Sequence, residues 1–167
     1  MTEFPIWIPG VSPETASRFH EKVSHGDDCW EWTGSTSRGY GYFRYDGKSR
    51  VVHRWLFEKI NGPLPASEHV DHICRNRRCV RPGHLRAVTR SENNQNLPNR
   101  RSNNASGARG VYWHAKNQKW IAAVRKGGRS HYLGSFSDLS EAREAAATAR
   151  RDLFTHSEMD KIGGTRV

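Results

Sequence analysis

Two sets of residues in this 167-residue chain have the types and spacing to do chemistry. The first is the adjacent pair Asp71 and His72, in a segment that runs HVDHICRNRRCVRPGHLRAVTRSENNQN and carries Asn93 towards its end. Carboxylate and amide oxygens are hard ligands suited to magnesium or manganese, and a nearby imidazole can take a proton from water. Metal-assisted phosphodiester cleavage needs these parts together, a divalent ion to neutralise the phosphate and a base to activate water. Asp71 and Asn93 are therefore candidate ligands of a catalytic ion, and His72 is the candidate base. An Asp-His pair alone is as readily a hydrogen-bonded strand end. Asn93 and Asn96 add weight, because residues three apart share a helix face.

The second set is Cys29, Cys74, Cys79 and His84. Three cysteines cannot all pair within one chain, so metal binding or burial accounts for them better than disulfides. Their donor types match the closed, tetrahedral site of structural zinc. The spacing Cys-x4-Cys-x4-His is looser than a CxxC pair, and the competing reading is three buried thiols with a surface histidine.

Chemistry of this kind must be held by small elements. Ser12-Pro13-Glu14 caps a short helix that presents Phe19 and Val23 inward. Asp46-Gly47 joins two alternating runs as an antiparallel hairpin, and His53 to Ile60 reads as a helix ended by Asn61-Gly62-Pro63. Glu68 to Ile73 reads as a strand, and Thr89 with Glu92 forms a capping box for the helix bearing Asn93. Polar, Pro- and Gly-containing residues 98–108 read as a linker between a domain at 1–97 and a second at 109–155, with a frayed tail at 156–167. In the second domain three strand-like runs, GVYWHAK, KWIAAVRK and SHYLGSF, precede an alanine-rich helix with Ala142, Ala145, Ala146, Ala149 and Leu153 on one stripe. Trp120, Ala122 and Val124 would face that helix, leaving Lys119, Ile121, Ala123 and Arg125 on the opposite face. The fold class is α+β.

Lys and Arg number 27 against 17 Asp and Glu, giving a net charge of +10. That balance favours a polyanionic partner, and nucleic acid leads. No apolar run reaches the length of a membrane span, so a cytoplasmic protein without a membrane partner is expected.

Residues 18–97, through RFHEKV, CWEWTG, GYGYF, VVHRW, VDHICRNRRCV, GHL and RSENNQN, resemble the HNH nucleases of phages and mobile introns, akin to homing endonucleases. The resemblance implies a zinc-stabilised ββα-metal finger, a magnesium- or manganese-dependent DNA endonuclease with His72 as general base, Asp71 and Asn93 on the ion, and Cys29, Cys74, Cys79 and His84 on zinc. It also implies a phage-encoded protein in a bacterial host. Relatives carry Asn in CVNPxHL, where it braces the finger, and Arg81 stands there in this chain. A non-catalytic DNA-binding regulator on a decayed nuclease scaffold is the alternative reading. His53-Arg54 matches a recurrent His-Arg pair, in which Arg54 serves either phosphate or structure.

Residues 106–154 resemble the DNA-binding domain of plant ethylene-response (APETALA-type) factors through ARGVYW, KWIAAVR, YLGSF and the helix after EAREA. The resemblance implies a three-stranded sheet in the major groove with the helix behind it. Arg109, Lys119, Arg125, Arg129 and Tyr132, with Arg100 and Arg101 of the linker, are then the candidate contacts to double-stranded DNA. No small-molecule cofactor is expected, and monomer and dimer remain equally open.

Overall fold

The computed structural model describes residues 6–96 and 104–161. Its chain divides into two compact units, Met1–Arg90 and Ser91–Val167. Both mix helices with small antiparallel sheets.

In the first unit, α1 (Pro13–His20) starts where Ser12 Oγ accepts from the Thr15 amide. The helix stops short of Val23. That residue instead opens strand β1 (Val23–His25), pairs with Trp32 of β2 (Trp30–Trp32), and is buried from there. Strands β3 (Thr36–Ser37), β4 (Tyr40–Tyr45) and β5 (Lys48–Val51) form a three-stranded sheet. The expected turn joins β4 to β5, with Asp46 at φ 50° and Gly47 at φ 69°, both in the left-handed region that a two-residue type I′ loop needs.

Helix α2 (Val52–Asn61) follows and ends at Gly62, whose φ of 92° an L side chain rarely adopts. Its apolar face closes a core of aromatic rings: Phe19, Trp32, Phe43 and Trp55 meet at centroid distances between 4.7 and 5.9 Å. Gly41 allows the close fit, since a Cβ there would stand 2.5 Å from Trp32 Cδ1. Ile8, from the segment before α1, is buried in the same cluster. Strands β6 (Glu68–His72) and β7 (Leu85–Thr89) then pair antiparallel, Asp71 opposite Arg86 and His72 opposite Leu85.

The short helix α3 (Arg90–Asn93) and a 3-10 turn over Asn94–Asn96 lead into the second unit. There β8 (Val111–His114), β9 (Lys119–Lys126) and β10 (Arg129–Phe136) form an antiparallel sheet with β9 in the middle. Gly127 and Gly128, at φ 57° and 79°, make the turn between β9 and β10. Asp138 caps α4 (Leu139–Leu153) by accepting from the Ser140 and Glu141 amides. Ala142 and Ala146 of α4 are fully buried against Val111 and Ala122, with Trp120 packed beside them. Alanine lets the helix approach the sheet closely, so this core is thin.

Three expectations for this unit change. Residues 104–108 are built into the unit: the hydroxyl of Ser106 is buried and donates to the Val111 carbonyl at 2.7 Å. The start of the presumed tail is also ordered, since α5 (Glu158–Lys161) brings Asp160 against buried Arg150 at 2.8 Å. Ile121, placed on the open face by alternation, is only 6 % exposed, because it lies in the central strand between Tyr112 and Ser135.

Candidate active site and metal centre

The connection between β6 and β7 carries three of the four zinc-type ligands, Cys74, Cys79 and His84. Ile73 donates to the His84 carbonyl at 2.9 Å and closes the base of the loop. Within it, Cys79 donates through its amide to Asn76, whose side-chain oxygen in turn accepts from the Arg78 amide. Strand β2 pairs with the loop through Trp32 N to Arg78 O and Val80 N to Trp30 O, both 2.8 Å. Those bonds carry Cys29, one residue before β2, to the side of Cys79.

The ligand atoms of Cys29, Cys74, Cys79 and His84 all lie within 4.8 Å of one another. His84 Nδ1 is 3.7 Å from Cys29 Sγ and 3.5 Å from Cys79 Sγ. Zinc bonds of about 2.3 Å to sulfur and 2.0 Å to nitrogen in a tetrahedron give ligand separations of roughly 3.5–3.8 Å. The four residues therefore fit zinc in type, number and spacing. The hydrogen bond from Cys74 pulls the Cys79 thiol down to about 4 and pushes Cys74 up. Burial, followed by the Cys79 charge, pushes Cys29 up. One thiolate thus forms readily, and a cation is what would draw the other two into the same state.

Arg81 has a defined place at this centre. Its amide donates to Cys79 Sγ at 3.4 Å, and its guanidinium donates to the Asp27 and Asp28 carbonyls at 2.9 and 2.8 Å. The long side chain ties the cysteine loop to the turn that carries Cys29, a brace that asparagine is too short to make.

Asp71 and His72 close β6 beside this cluster, and both are buried. Arg86, opposite on β7, donates through Nε and Nη2 to Asp71 Oδ2 at 3.0 and 2.9 Å. His72 Nε2 donates to the Cys79 carbonyl at 3.1 Å. A carbonyl can only accept, so Nε2 carries the proton and the basic lone pair of the neutral ring is on Nδ1. Burial lowers the His72 pKa, partly opposed by that carbonyl and by Asp71, while the charge of Arg77 adds to the lowering. At neutral pH the ring is an uncharged base.

Sequence reasoning missed the partner ring. His53 of α2 lies against His72 with centroids 4.3 Å apart, and Tyr40 flanks both at 5.4 and 6.3 Å. Burial and then the nearby His72 push His53 down to about 3. The recurrent VVHRW string was the available signal. Arg54, the other half of that pair, donates to Glu58 and to the Leu64 and Glu68 carbonyls, so its guanidinium ties α2 to the start of β6, the strand that ends at His72.

The other candidate residues fall in the second unit or outside the described residues. Asn93 is the last residue of α3 and is half-buried, while Asn96 closes the following turn and is buried. Lys119, Arg125, Arg129 and Tyr132 are exposed on the sheet, Tyr132 at 65 %. Arg109 differs from them. Its guanidinium donates to the Asn94 and Gln95 carbonyls, both at 2.8 Å, and sits over the Phe154 ring, so it serves the unit's own structure. Arg100 and Arg101 lie outside the described residues.

Comparison with known proteins places a family match over this stretch of the chain. Residues 50–95 match the family described as HNH endonuclease, a span that contains Asp71, His72, Asn93 and three of the four zinc-type ligands. The chain carries an HNH endonuclease domain, which implies a nucleic-acid partner. It also belongs to the family of Protein 3.8 of Escherichia phage T7, with 32 % identity over 109 residues, 65 % of this chain and 87 % of that protein. Protein 7.7 of the same phage is 40 % identical over 72 residues, 42 % of this chain and 55 % of that protein. The gene 5.3 protein of Enterobacteria phage T3 is 40 % identical over 60 residues, 31 % of this chain and 59 % of that protein. The chain thus spans somewhat more than half the length of these last two relatives. No solved structure matches it. Among the described residues, no helix is long and apolar enough to cross a membrane.

Proposed function

We propose that this chain is a metal-dependent DNA endonuclease of the phage or homing type, in which His72 takes the proton of the attacking water. The observation that carries the reading is the buried, neutral His72, fixed by the Cys79 carbonyl with its basic nitrogen defined and a carboxylate next to it in the chain. Asp71 and Asn93 supply the oxygen donors that magnesium or manganese requires. Such an ion, when bound, neutralises the scissile phosphate and stabilises the leaving oxygen. Arg86 fixes the orientation of the Asp71 carboxylate through two bonds to one oxygen. The Cys3His cluster, holding zinc, keeps the loop rigid so that His72 stays on its carbonyl.

In the same reading the second unit grips double-stranded DNA as an ethylene-response-type domain. Its support is a three-stranded sheet backed by one helix, with Lys119, Arg125, Arg129 and Tyr132 exposed. Arg100 and Arg101, outside the described residues, would add positive charge to the same grip. Lysine and arginine there would hold phosphates or guanine edges.

The test is magnesium-dependent cutting of plasmid DNA by the wild type and by His72→Ala. Loss of a general base costs about 10²- to 10⁴-fold in rate, and equal cutting by both proteins would remove His72 from the role. One observation favours a second reading, a DNA-binding regulator: Asp71 already has a cationic partner in Arg86. Tight binding with no metal-dependent cutting would select it.

A further inference from the structure

The arginines around the HNH centre are not equivalent. Arg78 donates to the Trp32 carbonyl at 2.9 and 3.0 Å, Arg81 to the Asp27 and Asp28 carbonyls, and Arg86 to Asp71. Each of these guanidinium groups is engaged in holding the fold. Arg77 is exposed, and its polar contact within the unit is a long one, 3.4 Å from Nη1 to the Arg38 carbonyl.

Its position is nonetheless specific. The guanidinium carbon lies 5.2 Å from the centroid of Tyr40, the ring that flanks both His53 and His72. A cation over an aromatic face is attracted without losing its outward-facing donors. The stem of Arg77 rests on Gly39, where an added Cβ would meet its Cδ at 3.5 Å. Arg38 and Gly39 form the two-residue turn between β3 and β4, with φ of 50° and 83°. A non-glycine residue at positive φ is uncommon, and here that conformation presents the Arg38 carbonyl to Arg77. A tight turn, a ring and a carbonyl therefore hold one solvent-facing cation a single ring away from His72.

Resting on the nuclease reading above, we propose that Arg77 is a substrate-binding residue of this site, a phosphate clamp mounted on Tyr40 that seats the DNA backbone beside His72. A planar guanidinium binds phosphate oxygens in a fork. Stacking on Tyr40 keeps that fork oriented before the substrate arrives, which lowers the ordering cost of binding. The position favours the polyanionic strand being cut over any neutral ligand.

Two measurements separate this inference from the nuclease reading. In the His72→Ala background, binding to a short duplex is followed by fluorescence anisotropy over a range of salt concentrations. Adding Arg77→Ala should make the slope of log K against log salt shallower by about 0.9, the value for one phosphate contact, and Arg77→Lys should restore it. In the otherwise wild-type protein, Arg77→Ala should reduce kcat/KM for cutting by about 10- to 100-fold, in line with a hydrogen bond to a charged group. Tyr40→Leu should retain the salt slope yet cut more slowly, because the charge remains while its mounting is lost. Zinc content at the wild-type level shows that each variant is folded. An unchanged salt slope in Arg77→Ala overturns the clamp whether or not the protein cuts DNA. A wild type that does not cut overturns the nuclease reading, while the slope still decides the role of Arg77.

Discussion

The two units solve the problem of a small core by different means. In the first, large aromatic rings fill the interior, and the loop that carries the Cys3His cluster contributes only Val80 to that core. In the second, alanines and a valine form a thin layer between α4 and the sheet, and the buried pair Arg150–Asp160 ties α5 to α4. Arg150 also donates to the Arg109 carbonyl, and Ser157 donates to Asp160, so the charges are buried with their bonds made. The metal-type staple lies beside Asp71 and His72, whereas the ionic one supports an open sheet face.

Breaking the first staple should have the largest effect. Removing zinc with a strong chelator, or Cys79→Ala, should unfold the first unit, since structural zinc contributes on the order of 10 kcal/mol to small domains. Calorimetry should show one transition lost and the transition of the second unit retained; two unchanged transitions, or elemental analysis finding no zinc, would contradict the assignment. Breaking the second staple should cost less. Removing one partner of a buried ion pair destabilises by roughly 3–5 kcal/mol, so Asp160→Ala should lower only the transition of the second unit. An unchanged transition would mean that α5 is not part of its stable structure.

Acid should separate the units further. Burial, then the nearby His72, pushes His53 down to about 3, so the neutral ring stabilises the fold at pH above the ordinary histidine value of 6.5, and that stability is lost as pH falls from there towards about 3. Burial tends to raise Asp160, but Arg150 and Ser157 prevail and hold it below the usual 3.8. Its contribution is present above 3.8 and lost only as pH falls further. The first unit should therefore begin to weaken at a higher pH than the second. His53→Asn should shallow the acid slope of the first unit alone, seen by tryptophan fluorescence; an identical slope would show that His53 titrates normally.

These contrasts also show what the sequence made legible. The zinc-type ligands could be read because they include every cysteine in the chain, and Asp46-Gly47 because few residue pairs tolerate two positive φ values. Arg86 on Asp71, the ring contact of His53 with His72, and Arg150 on Asp160 depend on strand register and on packing between distant segments, which periodicity does not encode. Val23 shows the same limit locally. Its inward position was read correctly, but pairing with Trp32 makes it a strand residue, outweighing the helical pattern that precedes it. Ile121 was misplaced because alternation predicts a face, while burial depends on what the neighbouring strands place beside it.

The proposal on which the nuclease reading depends is that Asp71 and Asn93 would hold one hard cation for the chemistry of His72. Manganese binding to the zinc-loaded protein, followed by electron paramagnetic resonance, tests it most directly. The wild type should bind one manganese ion, and both Asp71→Ala and Asn93→Ala should abolish that binding with zinc still in place. Undiminished manganese binding by Asn93→Ala would contradict the shared site.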